Sequence, residues 1–167
     1  MKSIIDKIKE SVEAVIGERR FYYNDGDGLN IDLDNADYPC AYARLIEAGT
    51  LQDNFGQYHE RVALGIFFAD IADIDLNPMA NEKILTKLKK SGLVWLASLR
   101  NNDELKLIEV RGTDRVYIKS DDFDVRLTAF VVQVTLEEIQ GFGVCDIEDC
   151  KHGCSSSDSA ESDASEG

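Results

Sequence analysis

The sequence is poor in basic residues, and this scarcity excludes two classes of partner. Eighteen lysines and arginines stand against 32 aspartates and glutamates, which gives a formal net charge of -14. A protein that coats nucleic acid needs a basic stripe to displace counterions from phosphates, and a protein that docks on anionic lipid needs basic clusters. We therefore predict neither direct nucleic-acid binding nor membrane binding.

Long hydrophobic runs and proline are also scarce. The longest apolar run, residues 63–69, has seven residues, whereas a membrane helix needs about 20. Charged residues such as Asp6 and Lys7 interrupt the first ten positions, which is not the pattern of a signal peptide. Two prolines are too few for a collagen-like or proline-rich linker protein. We expect a soluble cytoplasmic protein.

The composition changes near residue 144. Residues 1–143 have globular composition and are long enough for one domain with a single core. From residue 144 to 167 seven acidic residues stand against one lysine, and residues 155–167 contain only Ser, Asp, Glu, Ala and Gly. Such a segment cannot offset the entropy of ordering it. We predict one domain over 1–143 and an acidic disordered tail over 144–167.

Removal of residues 144–167 is expected to leave the thermal unfolding temperature nearly unchanged, because the predicted tail contributes nothing to the core. Melting curves of the full chain and of residues 1–143, followed by circular dichroism, measure this. A drop of about 5 °C or more, roughly 1 kcal/mol for a domain of this size, would contradict the prediction and favour an end held by a metal.

Hydrophobic spacing predicts two principal helices. Residues 2–17 place Ile4, Ile8 and Val12 on one face, with Gly17 as the stop. Pro78 can occupy a first helical turn, and apolar residues that include Trp95 continue at helical spacing to about residue 100. Trp95 is expected to be a core residue.

The remaining segments predict strands. The predicted strands are 21–23, 38–48 with Pro39 at its start or at an edge, 58–70 covered on both faces, 105–110, 115–119 and 125–137. Residues 112–114 and 120–122 are the predicted turns between the last three. Helices and strands do not alternate regularly. We therefore predict an α+β fold with a mostly antiparallel sheet of about four to six strands and two principal helices.

No catalytic arrangement is visible in the sequence. The sequence contains two histidines, His59 and His152, but no serine or cysteine in a Gly-x-Ser-x-Gly turn that could act as the nucleophile of a triad. We interpret His59 as a surface residue. Gly141 and Gly143 lack the lysine of a phosphate loop. The acidic segment 25–34 does not have the ligand spacing of an EF-hand loop, so we interpret it as a solvated turn. We predict no enzyme activity, no catalytic residue and no cofactor.

Four possible zinc ligands lie close together near the C-terminus: Cys145, Cys150, His152 and Cys154. Thiolates and an imidazole suit tetrahedral zinc, but these spacings lack the paired C-x-x-C units of structural zinc sites. We favour reduced thiols over a metal site there. Cys40 stands alone in the body, so the cysteines do not predict a disulfide framework.

A protein with a good core and no convergent polar chemistry most often works by binding another protein. The predicted long strand 125–137 would leave backbone N–H and C=O groups to be covered. Neighbouring subunits in a ring are one way to cover them.

Four segments and their order resemble a known family. They are Asp37–Pro39 entering a strand, Ile66–Asp70 ending one, Trp95–Leu99 on a helix and Leu127–Val132 on the closing strand. Together with the leading helix and the acidic loop, over residues 2–136, they resemble the tail terminator and tail completion proteins of tailed bacteriophages and prophages.

This resemblance implies a non-enzymatic structural subunit with an α+β fold. It implies assembly into a homo-oligomeric ring at the end of the tail or at the head–tail joint, in contact with other tail or connector proteins. The location would be the bacterial host cytoplasm during assembly and then the virion. Negative charge could steer docking onto complementary partner rings. The cysteine-bearing tail is a departure from the family pattern.

An acidic interaction protein, such as a DNA mimic that counters host defence, is the alternative function. It would need carboxylates at phosphate-like spacing on one exposed face. The net charge of -14 permits this. A small enzyme or metal-dependent protein is a third class, which would need the loop from Asp25 or the C-terminal cysteines to bind metal. Metal analysis of the purified protein would detect it.

Overall fold

The computed structural model describes residues 2–23, 37–54, 57–72, 78–118, 127–139 and 142–143. Within these ranges two helices and six strands follow one another in the order α1, β1, β2, β3, α2, β4, β5, β6. Their bounds are α1 Ile4–Ile16, β1 Phe21–Tyr23, β2 Cys40–Asn54, β3 Gln57–Ile71, α2 Pro78–Ser98, β4 Leu105–Ile118, β5 Leu127–Glu138 and β6 Phe142–Gly143. A short 3-10 helix, Leu99–Asn101, follows α2 directly.

The strands form one mixed sheet in the order β1-β2-β3-β5-β4, and β6 pairs with the beginning of β3. All neighbours are antiparallel except β1 and β2, which run parallel. Parallel strands need a crossover connection, and the segment between β1 and β2, residues 24–39, is long enough for one. The predicted α+β fold with two principal helices is confirmed, and the sheet is mixed rather than wholly antiparallel.

Helix α1 begins at a complete capping box. The Ser3 hydroxyl accepts a hydrogen bond from the Asp6 N–H at 3.2 Å, and the Asp6 carboxylate accepts one from the Ser3 N–H at 3.1 Å. The helix ends before Gly17, whose φ of 102° is costly for other residues. The helix predicted over 2–17 is confirmed, with slightly shorter bounds.

Helix α2 begins at Pro78, as the sequence predicts, and continues into the 3-10 turn before Asn102. The Asn102 side-chain oxygen accepts hydrogen bonds from the N–H groups of Glu104 and Leu105, at 2.9 and 2.8 Å. These bonds turn the chain from the helix end directly into β4.

Both helices pack on the same face of the sheet, which we call the helix face. Trp95 of α2 is fully buried there, and its ring lies 6.1 Å from that of Phe68. The core contains Ile4, Ile8, Val12, Ala41, Ala43, Val62, Leu64, Ile66, Phe68, Leu85, Leu88, Trp95, Leu99, Leu105, Phe130, Val132, Val134 and Leu136. The prediction that Trp95 is a core residue is confirmed.

Gly92 lets α2 approach the sheet closely. A Cβ at this position would lie 3.0 Å from a ring carbon of Phe130 and 3.2 Å from a methyl of Val132. We expect Gly92→Ala to lower the free energy of unfolding by about 1 kcal/mol. Overpacking costs roughly 1–3 kcal/mol of stability, and the higher helix propensity of alanine offsets about 1 kcal/mol of this. Urea denaturation measures this, with Lys90→Ala as an exposed control. A gain in stability at Gly92→Ala would contradict it.

The turn predicted at residues 112–114 is wrong. Leu105–Ile118 is one strand of 14 residues, paired with β5 from end to end. Its ladder to β5 shifts between Leu107 and Glu109 and again between Val110 and Gly112. A glycine inside a strand often marks a bulge rather than a turn, and Gly112 is an example.

The prediction that the strand over 125–137 has an uncovered edge is also wrong. This strand, β5, lies between β3 and β4 and pairs with both. Its near-continuous burial reflects that central position. The outer strands of the described sheet are β1 and β4.

Candidate functional site

The sheet surface opposite the helices is the candidate site, and we call it the open face. Strand pairing arranges it in rows that run across β2, β3, β5 and β4. The rows are Arg61-Glu137-Lys106, Glu47-Ala63-Thr135-Glu109, Arg44-Gly65-Gln133-Gly112, Tyr42-Phe67-Val131-Asp114 and Cys40-Ala69-Ala129-Val116. The first two rows are charged and the last two are largely apolar.

The apolar end of the open face is closely packed. The rings of Tyr42 and Phe67 stack with their centroids 4.9 Å apart. Cys40 is fully buried beside them, and burial raises the pKa of its thiol to about 12. A thiol with so high a pKa stays protonated at neutral pH, so Cys40 is a packing residue rather than a nucleophile.

The charged end holds an ion pair that crosses the sheet. Arg111 of β4 contacts the Glu47 carboxylate of β2 at 2.7 and 3.1 Å, and its Nε donates to the Thr135 hydroxyl at 3.0 Å. Because β3 and β5 lie between β2 and β4, the two side chains extend over Ala63 and Thr135. This explains why Ala63 and Thr135 are buried on a face that carries neither helix.

Electrostatics agree with this geometry. The hydrogen bonds that Arg111 donates to the Glu47 carboxylate lower the pKa of Glu47 and raise the pKa of Arg111. A second pair lies beside the first, where the Arg61 guanidinium donates from Nε to the largely buried Glu137 carboxylate at 2.9 Å. Both arginines are therefore committed to carboxylates of the same chain.

Two shallow depressions interrupt the open face. One, of about 290 Å³, lies over Gly65 between Arg44, Ile46 and Phe67. The other, of about 250 Å³, lies beside the Arg111–Glu47 pair and includes Ile108. Their volumes are just below the usual range of small-molecule sites.

The residues singled out in the sequence do not meet in this site. Cys145, Cys150, His152 and Cys154, the acidic segment 25–34 and the turn at 120–122 lie outside the described residues, so the predictions made for them stay predictions. The tail boundary near residue 144 lies outside them as well. Within the described ranges no three His, Cys, Asp or Glu residues come together as a metal site, and no helix is long and apolar enough to span a membrane.

His59, interpreted from the sequence as a surface residue, lies at the beginning of β3. Its ring is partly buried and Nδ1 lies 2.9 Å from the Glu138 carbonyl oxygen. The pairing of β3 with β5 brings these two strand ends together. The contact holds the imidazole against backbone, which is a structural role.

Sequence reasoning missed the charged rows of the open face. Glu47 and Arg111 are 64 residues apart, and Arg61 and Glu137 are 76 apart. A period-two pattern would place each residue on a face, but it would not show which strands are neighbours.

The comparisons with known proteins assign no family. No family model matches the chain, and no curated protein matches it either.

Proposed function

We propose that this protein is a non-enzymatic assembly subunit of the tail terminator or tail completion type found in tailed phages and prophages. It would close into a ring at the tail end or head–tail joint through contacts between copies, and would dock there on other tail or connector proteins. The resemblance over residues 2–136 suggests the family, and the surface of the sheet supports a function carried out by protein–protein contacts.

The observation that carries this proposal is the position of the exposed apolar side chains. Six of them lie on strands of the sheet: Tyr23, Ile46, Leu51, Ile71, Ile108 and Val110. Ile46 and Ile108 also line the two depressions of the open face. Strand register places Tyr23, Leu51 and Val110 on the other face of the sheet, so exposed apolar side chains occur on both faces. Such side chains are typical of surfaces that bind protein.

The paired carboxylates do not favour the alternative of a DNA mimic. Such a protein needs free carboxylates in a regular array, but six glutamates of the described residues contact a lysine or arginine. These glutamates are Glu10, Glu47, Glu82, Glu109, Glu137 and Glu138.

Absolute molar mass across a range of protein concentrations, with and without a zinc chelator, tests the proposal. We expect an oligomer of defined size larger than a dimer, unaffected by chelation and visible as rings by negative-stain electron microscopy. Leu51→Lys should reduce its formation, whereas Leu93→Lys on the exposed side of α2 serves as the matched control. A monomer at every concentration would contradict ring formation, and a mass that falls only with chelator would direct attention to the C-terminal cysteines.

A further inference from the structure

The outer edge of β4 is the longest unpaired strand edge in the described part of the chain. β4 pairs with β5 along one side, and no described strand pairs with its other side. Ile108 and Val110 are 37% and 46% exposed there. A long edge with free N–H and C=O groups is a template for another strand.

The charges of β4 are arranged symmetrically about Val110. Lys106 lies four residues before Val110 and Asp114 lies four residues after it. Glu109 comes directly before Val110 and Arg111 directly after it. An antiparallel copy centred on Val110 therefore places Lys106 opposite Asp114 and Glu109 opposite Arg111. Opposite charges in directly facing positions stabilise strand pairs. Because Arg111 already contacts Glu47 of its own chain, the pair of Lys106 with Asp114 is the one that gains most from this register.

The ladder from β4 to β5 skips two residues of β4, Ile108 and Arg111. A two-fold axis through Val110 places them opposite Gly112 and Glu109 of the second copy, so each skipped residue faces a neighbour of the other. Bulges normally protect an edge from pairing with a regular strand, but both strands of this pair are irregular over the same short stretch.

The apolar residues also match in this register. Ile108 faces Gly112 of the second copy, and the space where a Cβ of Gly112 would lie has no atom within 4 Å. Val110 faces its own symmetry mate. Both exposed apolar side chains of the edge would thus be covered.

We propose that two copies of this chain pair through their β4 edges, antiparallel, with Val110 on the two-fold axis. The two sheets then join into one. This contact goes beyond the proposed function and does not rest on it, because a two-fold contact uses the same surface twice whereas a ring joins two different surfaces.

Charge reversal tests the pairing. Lys106 and Asp114 are exposed and form no ion pair with another described residue, although Lys106 lies directly across from Glu137 and the Asp114 carboxylate accepts a hydrogen bond from the Arg115 N–H. The melting temperature of each variant shows whether the subunit itself stays folded. Because each substitution acts at two equivalent places, K106D and D114K should each raise the dimer dissociation constant about tenfold. The double variant K106D/D114K should return it to within about threefold of the original value.

Sedimentation equilibrium of the full chain measures these dissociation constants. K89D, at an exposed position of α2, is the control. A general effect of net charge would move the two single variants in opposite directions, since one adds negative charge and the other removes it. That result, or a double variant no tighter than the single ones, would overturn the proposal.

Cysteine crosslinking tests the register. In a full chain carrying Cys145→Ser, Cys150→Ser and Cys154→Ser, V110C should form a disulfide-linked dimer on mild oxidation, because it faces itself. T113C should not, because it faces Leu107 of the second copy. Crosslinking of T113C alone, or of both variants equally, would overturn the antiparallel register.

The outcomes separate this contact from the proposed ring. A ring whose V110C variant does not crosslink would overturn the β4 contact and leave the proposed function standing. A crosslinked dimer that never grows would support the β4 contact and contradict ring formation. A monomer at every concentration would overturn both.

Discussion

Trp95→Ala is expected to lower the free energy of unfolding by about 3 to 5 kcal/mol. The indole is fully buried between α2 and the sheet, against Phe68. Its Nε1–H donates to the Ser11 hydroxyl at 3.0 Å, and this hydroxyl donates to the Ile8 carbonyl at 2.7 Å. The substitution therefore opens a cavity and also breaks the bond that ties α2 to α1.

Urea denaturation followed by far-ultraviolet circular dichroism measures the loss, since the chain contains no second tryptophan for fluorescence. Leu93→Ala is the control, because Leu93 lies on the same helix but is 48% exposed. Its cost should stay within about 0.5 kcal/mol, as for ordinary surface positions. A loss below about 1 kcal/mol at Trp95→Ala would contradict the core position.

Local signals explain how much of this fold can be predicted from the sequence. The spacing of Ile4, Ile8 and Val12 and the position of Pro78 depend on neighbours within one or two turns, so both helices could be predicted closely. The long strands β2 and β3 could be predicted as strands, but each extends beyond its predicted range. Strand ends depend on pairing, which is not local.

The errors have one physical cause. Glycine favours turns, so the sequence predicts a turn at Gly112, yet pairing with β5 holds this residue at a bulge of a continuous strand. The sequence of segment 125–137 predicts a strand but does not show that this strand lies between β3 and β4, so the prediction leaves its edge uncovered. The Arg111–Glu47 pair of the open face could not be predicted for the same reason, because the two residues come together only through the order of the strands in the sheet.

A buried ion pair on the helix face leads to the second large effect. The Lys7 ammonium of α1 lies 2.7 Å from the Glu138 carboxylate at the end of β5, and both side chains are at most 10% exposed. Lys7→Met should lower the free energy of unfolding by about 3 to 5 kcal/mol, because it leaves a buried carboxylate without its counter-charge. Denaturant unfolding at pH 7 measures the loss.

This loss should depend on pH through Glu60. Burial raises the pKa of Glu60, the nearby Glu138 carboxylate raises it further, and Lys7 opposes both. Without Lys7 the folded-state pKa of Glu60 rises more. A raised carboxyl pKa gives stability that is complete below the unfolded pKa and is lost as the pH rises through the folded pKa. The deficit of Lys7→Met should therefore be smaller near pH 4, close to the ordinary pKa of glutamate, than at pH 7.

The double variant Lys7→Met/Glu138→Met separates the cost of an unpaired charge from the value of the pair itself. Replacing a buried pair with apolar side chains of similar volume is often neutral or stabilising, so we expect the double variant to lie within about 1 kcal/mol of the original protein. Lys9→Met, at an exposed position of α1, controls for the loss of a lysine. If the double variant is as unstable as Lys7→Met alone, packing of the lysine chain rather than charge holds α1 to the end of β5.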